Sequence, residues 1–157
     1  HLYWMNQRAA GSLIMWSLIL TLLPTAAPVA AAETLTKISL ASVDPLAVCT
    51  DGSPAAYYFK PGTSPVWIVD LQGGGWCWDP ESCSQRCPEG TESVLCSSKA
   101  WNESITVDGV LAAGASSSLG EMLDKANKVF VTYCTSDAHM GDAAAFGKQF
   151  RGARVLR

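Results

Sequence analysis

Residues 66 to 78 read Val-Trp-Ile-Val-Asp-Leu-Gln-Gly-Gly-Gly-Trp-Cys-Trp, a short apolar run that enters three consecutive glycines and leaves through Trp76, Cys77 and Trp78. An apolar run of this length bounded by glycine is a strand signal, and the glycines end the strand abruptly. Residues without a Cβ can take positive φ and let a ligand come close to the main chain. Successive N–H groups can then converge on one point and bind negatively charged oxygen. The same feature also makes ordinary turns and phosphate cradles, so the flanking residues decide its meaning.

The N-terminal part has a different character. Leu13 to Leu23 is apolar and uncharged, Arg8 precedes it, and small residues run from Pro24 to Ala32. This is the pattern of a secretory signal peptide, with Met5 the expected start and cleavage expected after Ala32. The apolar core is shorter than the roughly 20 residues a membrane-spanning helix needs, Pro24 interrupts its extension, and no basic residues follow it as they would a retained anchor. The expected division is therefore residues 1–32 as upstream residues and signal peptide, and residues 33–157 as the mature part, with no stable membrane insertion after cleavage.

All six cysteines, Cys49, Cys77, Cys83, Cys87, Cys96 and Cys134, fall in that mature part. An even number suits a fully paired framework and an oxidising compartment. Zinc clusters favour short paired spacings such as C-x2-C, which these cysteines do not show, so no metal is expected. Asn102-Glu103-Ser104 is a glycosylation sequon, which makes Asn102 a candidate acceptor. A formal net charge of −3 is too slight to name a partner, and without a Lys/Arg stripe no nucleic acid is expected. Arg151, Arg154 and Arg157 cluster near the end and read as the solvated start of a helix.

The element pattern is that of an α/β domain. Strands are expected at Lys37 to Leu40, Tyr57 to Lys60, Val66 to Leu71 and Lys128 to Tyr133, with a turn at Asp51 to Pro54. The second and third of these, five residues apart across Pro61-Gly62-Thr63-Ser64-Pro65, form a candidate β-hairpin. Residues 79 to 104, dense in Ser, Cys, Glu and Pro, read as a disulfide-pinned loop, and Val107 to Leu111 as a short apolar segment. A helical turn is expected within Ser116 to Asp124, and a helix within Asp142 to Arg157 with Gly147 and Gly152 as weak points.

Taken in order, Cys49-Thr50-Asp51-Gly52-Ser53-Pro54-Ala55-Ala56-Tyr57, then Gly73-Gly74-Gly75-Trp76-Cys77 with Cys83 soon after, Tyr133-Cys134 behind an apolar strand, and Phe150-Arg151-Gly152 resemble the pectin acetylesterase and Notum carboxylesterase family. The resemblance covers roughly residues 48 to 157. It implies an α/β-hydrolase-like fold and ester hydrolysis through an acyl-enzyme, without metal or cofactor. Oxyanion holes of that fold are built partly from a glycine-rich loop after an early strand, which nominates the main-chain N–H groups of Gly74, Gly75 and Trp76. Gln72 stands where the family usually has Glu, so a carboxylate role there is lost. The family's cysteine spacing, and a gap of five residues, suggest a Cys77–Cys83 disulfide. Cys49 with Cys134 and Cys87 with Cys96 would complete the set, one of fifteen possible connectivities. The implied substrate is an acylated polysaccharide, as in acetylated pectin, or another acyl ester.

The catalytic Ser, Asp and His are absent from this pattern. No G-x-S-x-G string exists, and the nearest, Gly114 to Ser118, precedes the Lys128 strand, whereas the family's G-x-S-A-G-G elbow follows F-R-G. Ser116 therefore reads as a loop residue, and His139 as a surface or site-lining one. The chain is expected to be the N-terminal part of a secreted serine carboxylesterase, with first strands and oxyanion loop present and its triad beyond Arg157. Ser116 or Ser136 with His139 would be the fallback if the chain were active alone. The alternative class is a secreted, non-catalytic, disulfide-rich binding protein on the same scaffold, whose tryptophans would contact carbohydrate.

Overall fold

A computed structural model describes residues 32–112 and 118–157. The signal-peptide expectation and Ser116 lie outside the described residues. Seven strands and short helices follow one another: β1 (Glu33–Ser39), β2 (Ala56–Lys60), β3 (Trp67–Leu71), α1 (Pro80–Arg86), β4 (Ser104–Val107), a 3-10 turn (Gly109–Leu111), α2 (Ser118–Asp124), β5 (Asn127–Val131), β6 (Ala143–Ala145), β7 (Lys148–Phe150) and α3 (Gly152–Val155).

Five of the strands make one mixed sheet in the order β3-β5-β2-β1-β4. The expected hairpin of β2 with β3 is corrected: β5 lies between them, antiparallel to β2 and parallel to β3. The connecting segment explains why. Gly62 N–H donates to Asn127 Oδ1, and the N–H groups of Thr63 and Ser64 donate to the Lys125 carbonyl, so this segment is held by the chain entering β5 rather than closing on itself. A five-residue link permits a hairpin but does not require one.

The core follows from alternation along the strands. In β1, Glu33 and Leu35 point inward while Thr34 and Thr36 face out. Leu35, Tyr58 and Leu111 are buried together, and Ile68, Ile105, Val107 and Phe130 pack around them. At the end of this face the fully buried Lys128 ammonium meets Glu33 at 3.1 Å, and Lys60 shares the same carboxylate. Burial alone would raise the Glu33 carboxyl, but hydrogen bonds and charge from Lys60 and Lys128 hold it below its ordinary value.

Two further expectations are corrected. Residues 79 to 104 are not all loop, because Asp79 caps α1: its side chain accepts from Ser82 N–H at 2.7 Å, and Pro80 occupies the first helical turn, where its missing N–H costs nothing. The tail from Asp142 is not a helix but the hairpin β6–β7 followed by the single turn of α3. Phe146 and Gly147 close that hairpin with φ of 55° and 72°, as a two-residue turn with both central residues left-handed requires. The six cysteines form three disulfides, Cys49–Cys134, Cys77–Cys83 and Cys87–Cys96. Cys49 and Cys134 are fully buried in a second apolar cluster with Ala55, which packs against Leu40, Trp101 and Val155. Among the described residues no helix is long and apolar enough to cross a membrane.

Candidate active site

The glycines leave β3 at its carboxyl end, beside the end of β5, and a cavity of about 260 Å³ opens there. Leu71, Gln72, the three glycines, Trp76, Tyr133 and His139 line it. In open α/β sheets this end of the strands is where ligands bind.

Tyr133 is the post on which the loop hangs. Its side chain is buried, and its hydroxyl donates to the Gly75 carbonyl at 2.6 Å while accepting from Ala138 N–H at 2.7 Å. Burial pushes this hydroxyl above its ordinary pKa, so it keeps the proton it donates. A Cβ on Gly74 would stand 2.8 Å from Tyr133 Cδ1, and Gly75 has φ of 73°, so the first must be small and the second must be left-handed. Gln72 reaches back from the loop's start: its Oε1 accepts from Tyr133 N–H at 2.9 Å. An amide oxygen accepts that bond as a carboxylate would, so the departure from Glu leaves this contact in place.

With its carbonyl side tied down, the loop presents its donors. Among the described residues, none of the N–H groups of Gly73, Gly74, Gly75 and Trp76 donates to a protein acceptor. The next one, Cys77 N–H, donates to Ser136 O at 3.1 Å.

A second loop, residues 135 to 141, forms the opposite wall. Ser136, Ala138 and His139 all have positive φ, of 53°, 55° and 59°, which is costly for residues with a Cβ and needs surrounding support. Asp137 supplies it. One carboxylate oxygen accepts from Thr135 Oγ1 at 2.6 Å and His139 N–H at 3.0 Å, the other from Gly141 N–H at 3.1 Å and Gly152 N–H at 2.7 Å. His139 Nε2 lies 3.1 Å from the Gln72 carbonyl, which can only accept, so Nε2 carries the proton. Ser136 is fully buried with its Oγ bonded to Arg86 Nε at 3.0 Å. Ser136 and His139 are thus each engaged elsewhere and do not form a nucleophile and base. Trp76, which lines the cavity, and Trp78, two residues on, are exposed, at 61% and 69%. Asn102 is exposed, just ahead of β4.

Arg151, Arg154 and Arg157 converge on Asp142, and Arg154 also reaches Asp44. They form an ion-paired surface cluster, and hydrogen bonds from Arg154 and Arg151 hold the Asp142 carboxyl below its ordinary range. Tyr133, Asp137 and Arg86 were not singled out as site residues by sequence reasoning. The Asp79-Pro80 helix start was the one local signal that could have placed Arg86 on a helix end returning towards the glycines.

Comparison with known proteins agrees with this architecture. A family profile described as pectinacetylesterase matches residues 29–157. Pectin acetylesterase 11 of Arabidopsis thaliana is 37% identical over 118 residues, which are 71% of this chain and 29% of that protein. Palmitoleoyl-protein carboxylesterase NOTUM of Homo sapiens is 34% identical over 113 residues, 69% of this chain and 22% of that protein. The solved structure of the Wnt deacylase Notum from Drosophila matches at 32% identity with a TM-score of 0.66, over 79% of this chain and 34% of that one. The chain thus spans between about a fifth and a third of the length of these relatives. With its sheet order, its tethered glycine loop and a family match running through all of its described strands, the chain belongs to the pectinacetylesterase family and has an α/β-hydrolase-like fold.

Proposed function

We propose that this chain is the N-terminal part of a secreted serine carboxylesterase that deacylates esters, with O-acetylated polysaccharide as the favoured substrate class. Gly74, Gly75 and Trp76 supply main-chain N–H groups to the oxyanion, and the Ser, Asp and His of the triad come from sequence beyond Arg157. In the reaction the serine oxygen adds to the ester carbonyl and the carbonyl oxygen becomes an oxyanion. The histidine takes the serine proton in this step and hands it to the alcohol that collapse expels, and water, deprotonated by the same histidine, then releases the acid and returns the proton to the serine. Each preorganised donor aimed at that oxygen is worth about 3 kcal/mol in the transition state. The observation that carries the reading is the run of unengaged N–H groups on a loop whose carbonyl side is fixed by Tyr133. Three disulfides fit an oxidising, extracellular setting, where Asn102 would carry the glycan.

The exposed Trp76 and Trp78 favour a second reading, a non-catalytic carbohydrate-binding protein. Expression of the complete reading frame separates the two. Hydrolysis of p-nitrophenyl acetate by the complete protein, with none above background from residues 33–157, supports the esterase. A complete protein that binds polysaccharide without hydrolysing any acetyl ester supports the alternative.

A further inference from the structure

Arg86 is the described arginine without a carboxylate. Arg151, Arg154 and Arg157 all lie on Asp142, whereas among the described residues Arg86 has no acidic group within ion-pair distance. Its Nε donates to Ser136 Oγ at 3.0 Å, its guanidinium lies 5.9 Å from the centre of the Tyr133 ring, and its Nη2 is buried with no acceptor. Arg86 as a whole is half-buried, but a charged donor atom buried without an acceptor is costly and calls for an explanation.

The position is specific. Nη2 stands 3.3 Å from where a Cβ on Gly74 would be, and Nη1 3.7 Å from the same point on Gly75. The guanidinium therefore lies against the glycine loop, outside the residues that line the cavity. Covalent bonds hold it there: Cys83 and Cys87 bracket Arg86, one bonded to Cys77 at the loop's exit and the other to Cys96.

We propose that Arg86 is a positioning residue whose positive charge, held behind Gly74 and Gly75, strengthens the loop as a binder of transient negative oxygen. This rests on the oxyanion reading above. A positive charge lying against the loop from the side away from the cavity stabilises negative charge that forms on an oxygen held by the loop's N–H groups, and acts on the transition state more than on the neutral ester. Arg86 touches no substrate. Its effect reaches the reacting atoms through the Gly74–Gly75 peptide.

The test uses the complete enzyme with Arg86→Lys, Arg86→Gln and Arg86→Met, measuring kcat and KM for p-nitrophenyl acetate and the melting temperature. The neutral variants are expected to lose roughly 30-fold in kcat with KM within about threefold, and Arg86→Lys to recover most of that loss. Gln retains a donor for Ser136 Oγ, so it separates charge from the hydrogen bond. The proposal is overturned if folded Gln and Met variants keep kcat, if Lys is as poor as Met, or if both neutral variants fail to fold, which would make the role structural. Gly75→Val in the same series isolates the underlying reading. A drop there with unchanged Arg86 variants removes only Arg86, whereas no drop in either removes the oxyanion loop as well.

Discussion

At the scale of single residues, two side chains carry consequences that can be measured. Glu33 is the carboxylate that compensates the fully buried Lys128. Replacing it with Gln leaves an unpaired buried ammonium, expected to cost about 3 kcal/mol in urea unfolding of the complete protein at pH 7. The folded-state pKa of Glu33 is lowered, so its stabilisation is present in full above the unfolded value of 4.5 and is lost as pH falls through the folded one. That acid-side loss should be smaller in Glu33→Gln than in the parent. An identical slope between pH 5 and pH 3 would remove Glu33 from the balance. The pair also bears on the proposed maturation: the expected cleavage after Ala32 keeps Glu33, whereas cleavage one residue later would strand Lys128. N-terminal sequencing should find the secreted chain starting at or before Glu33.

Tyr133 is the second. Tyr133→Phe removes the hydroxyl that joins Gly75 O to Ala138 N–H. It should lower kcat of the complete enzyme about tenfold while the ring still fills its place beneath Gly74. A kcat equal to the parent's would mean that the loop holds its shape without the post. Little of this was legible beforehand. The glycines announce a special backbone, but the ring that sets their path is 58 residues away in sequence.

At the scale of elements, local signals located strands and missed partners. Lys37 to Leu40 was the expected first strand, and β1 in fact begins at Glu33, where pairing with β4 extends it. Nothing between Lys60 and Val66 records that β5 inserts between β2 and β3, because that choice depends on Lys125 and Asn127 binding the link. Ala143-Ala144-Ala145 has helix propensity, yet the Phe146-Gly147 turn and the Gln149 N–H bond to Thr50 O make it a strand. Tertiary contacts override weak local preference. Helix α1 has a local signal of its own: Asp79, Pro80 and Ser82 spell its start. The Cys77–Cys83 bond joins that helix to the glycine loop. Cys77→Ala with Cys83→Ala should therefore lower kcat more than it lowers the melting temperature, since the closed loop is short and its entropic contribution modest. Loss of stability with kcat intact would assign the disulfide to the scaffold alone.

At the scale of the molecule, the register places Ile38, Tyr57, Phe59, Trp67, Val69, Leu71 and Val129 on one side of the sheet. Phe59 and Trp67 stack at 5.8 Å, while Trp67 and Val69 remain 59% and 57% exposed. Apolar side chains exposed in a row on one sheet face mark an association surface, and β3 is an edge strand whose outer N–H and C=O groups invite pairing. Residues 33–157 expressed alone should self-associate. A monodisperse monomer in size-exclusion chromatography with light scattering would contradict this. The α/β class and the early sheet were legible in the order of motifs, whereas the exposure of Trp67 and Val69 on this face was not, since it follows from the register.

The oxyanion role of the glycine loop is tested most directly by kcat of Gly75→Val in the complete enzyme, measured on p-nitrophenyl acetate with the melting temperature as control. Valine tolerates the φ of 73° at this position poorly and must turn the loop's donors away. The expected result is a fall in kcat of about 10²-fold with KM little changed and a folded protein. A folded Gly75→Val enzyme with the parent's kcat would show that the oxyanion is stabilised elsewhere.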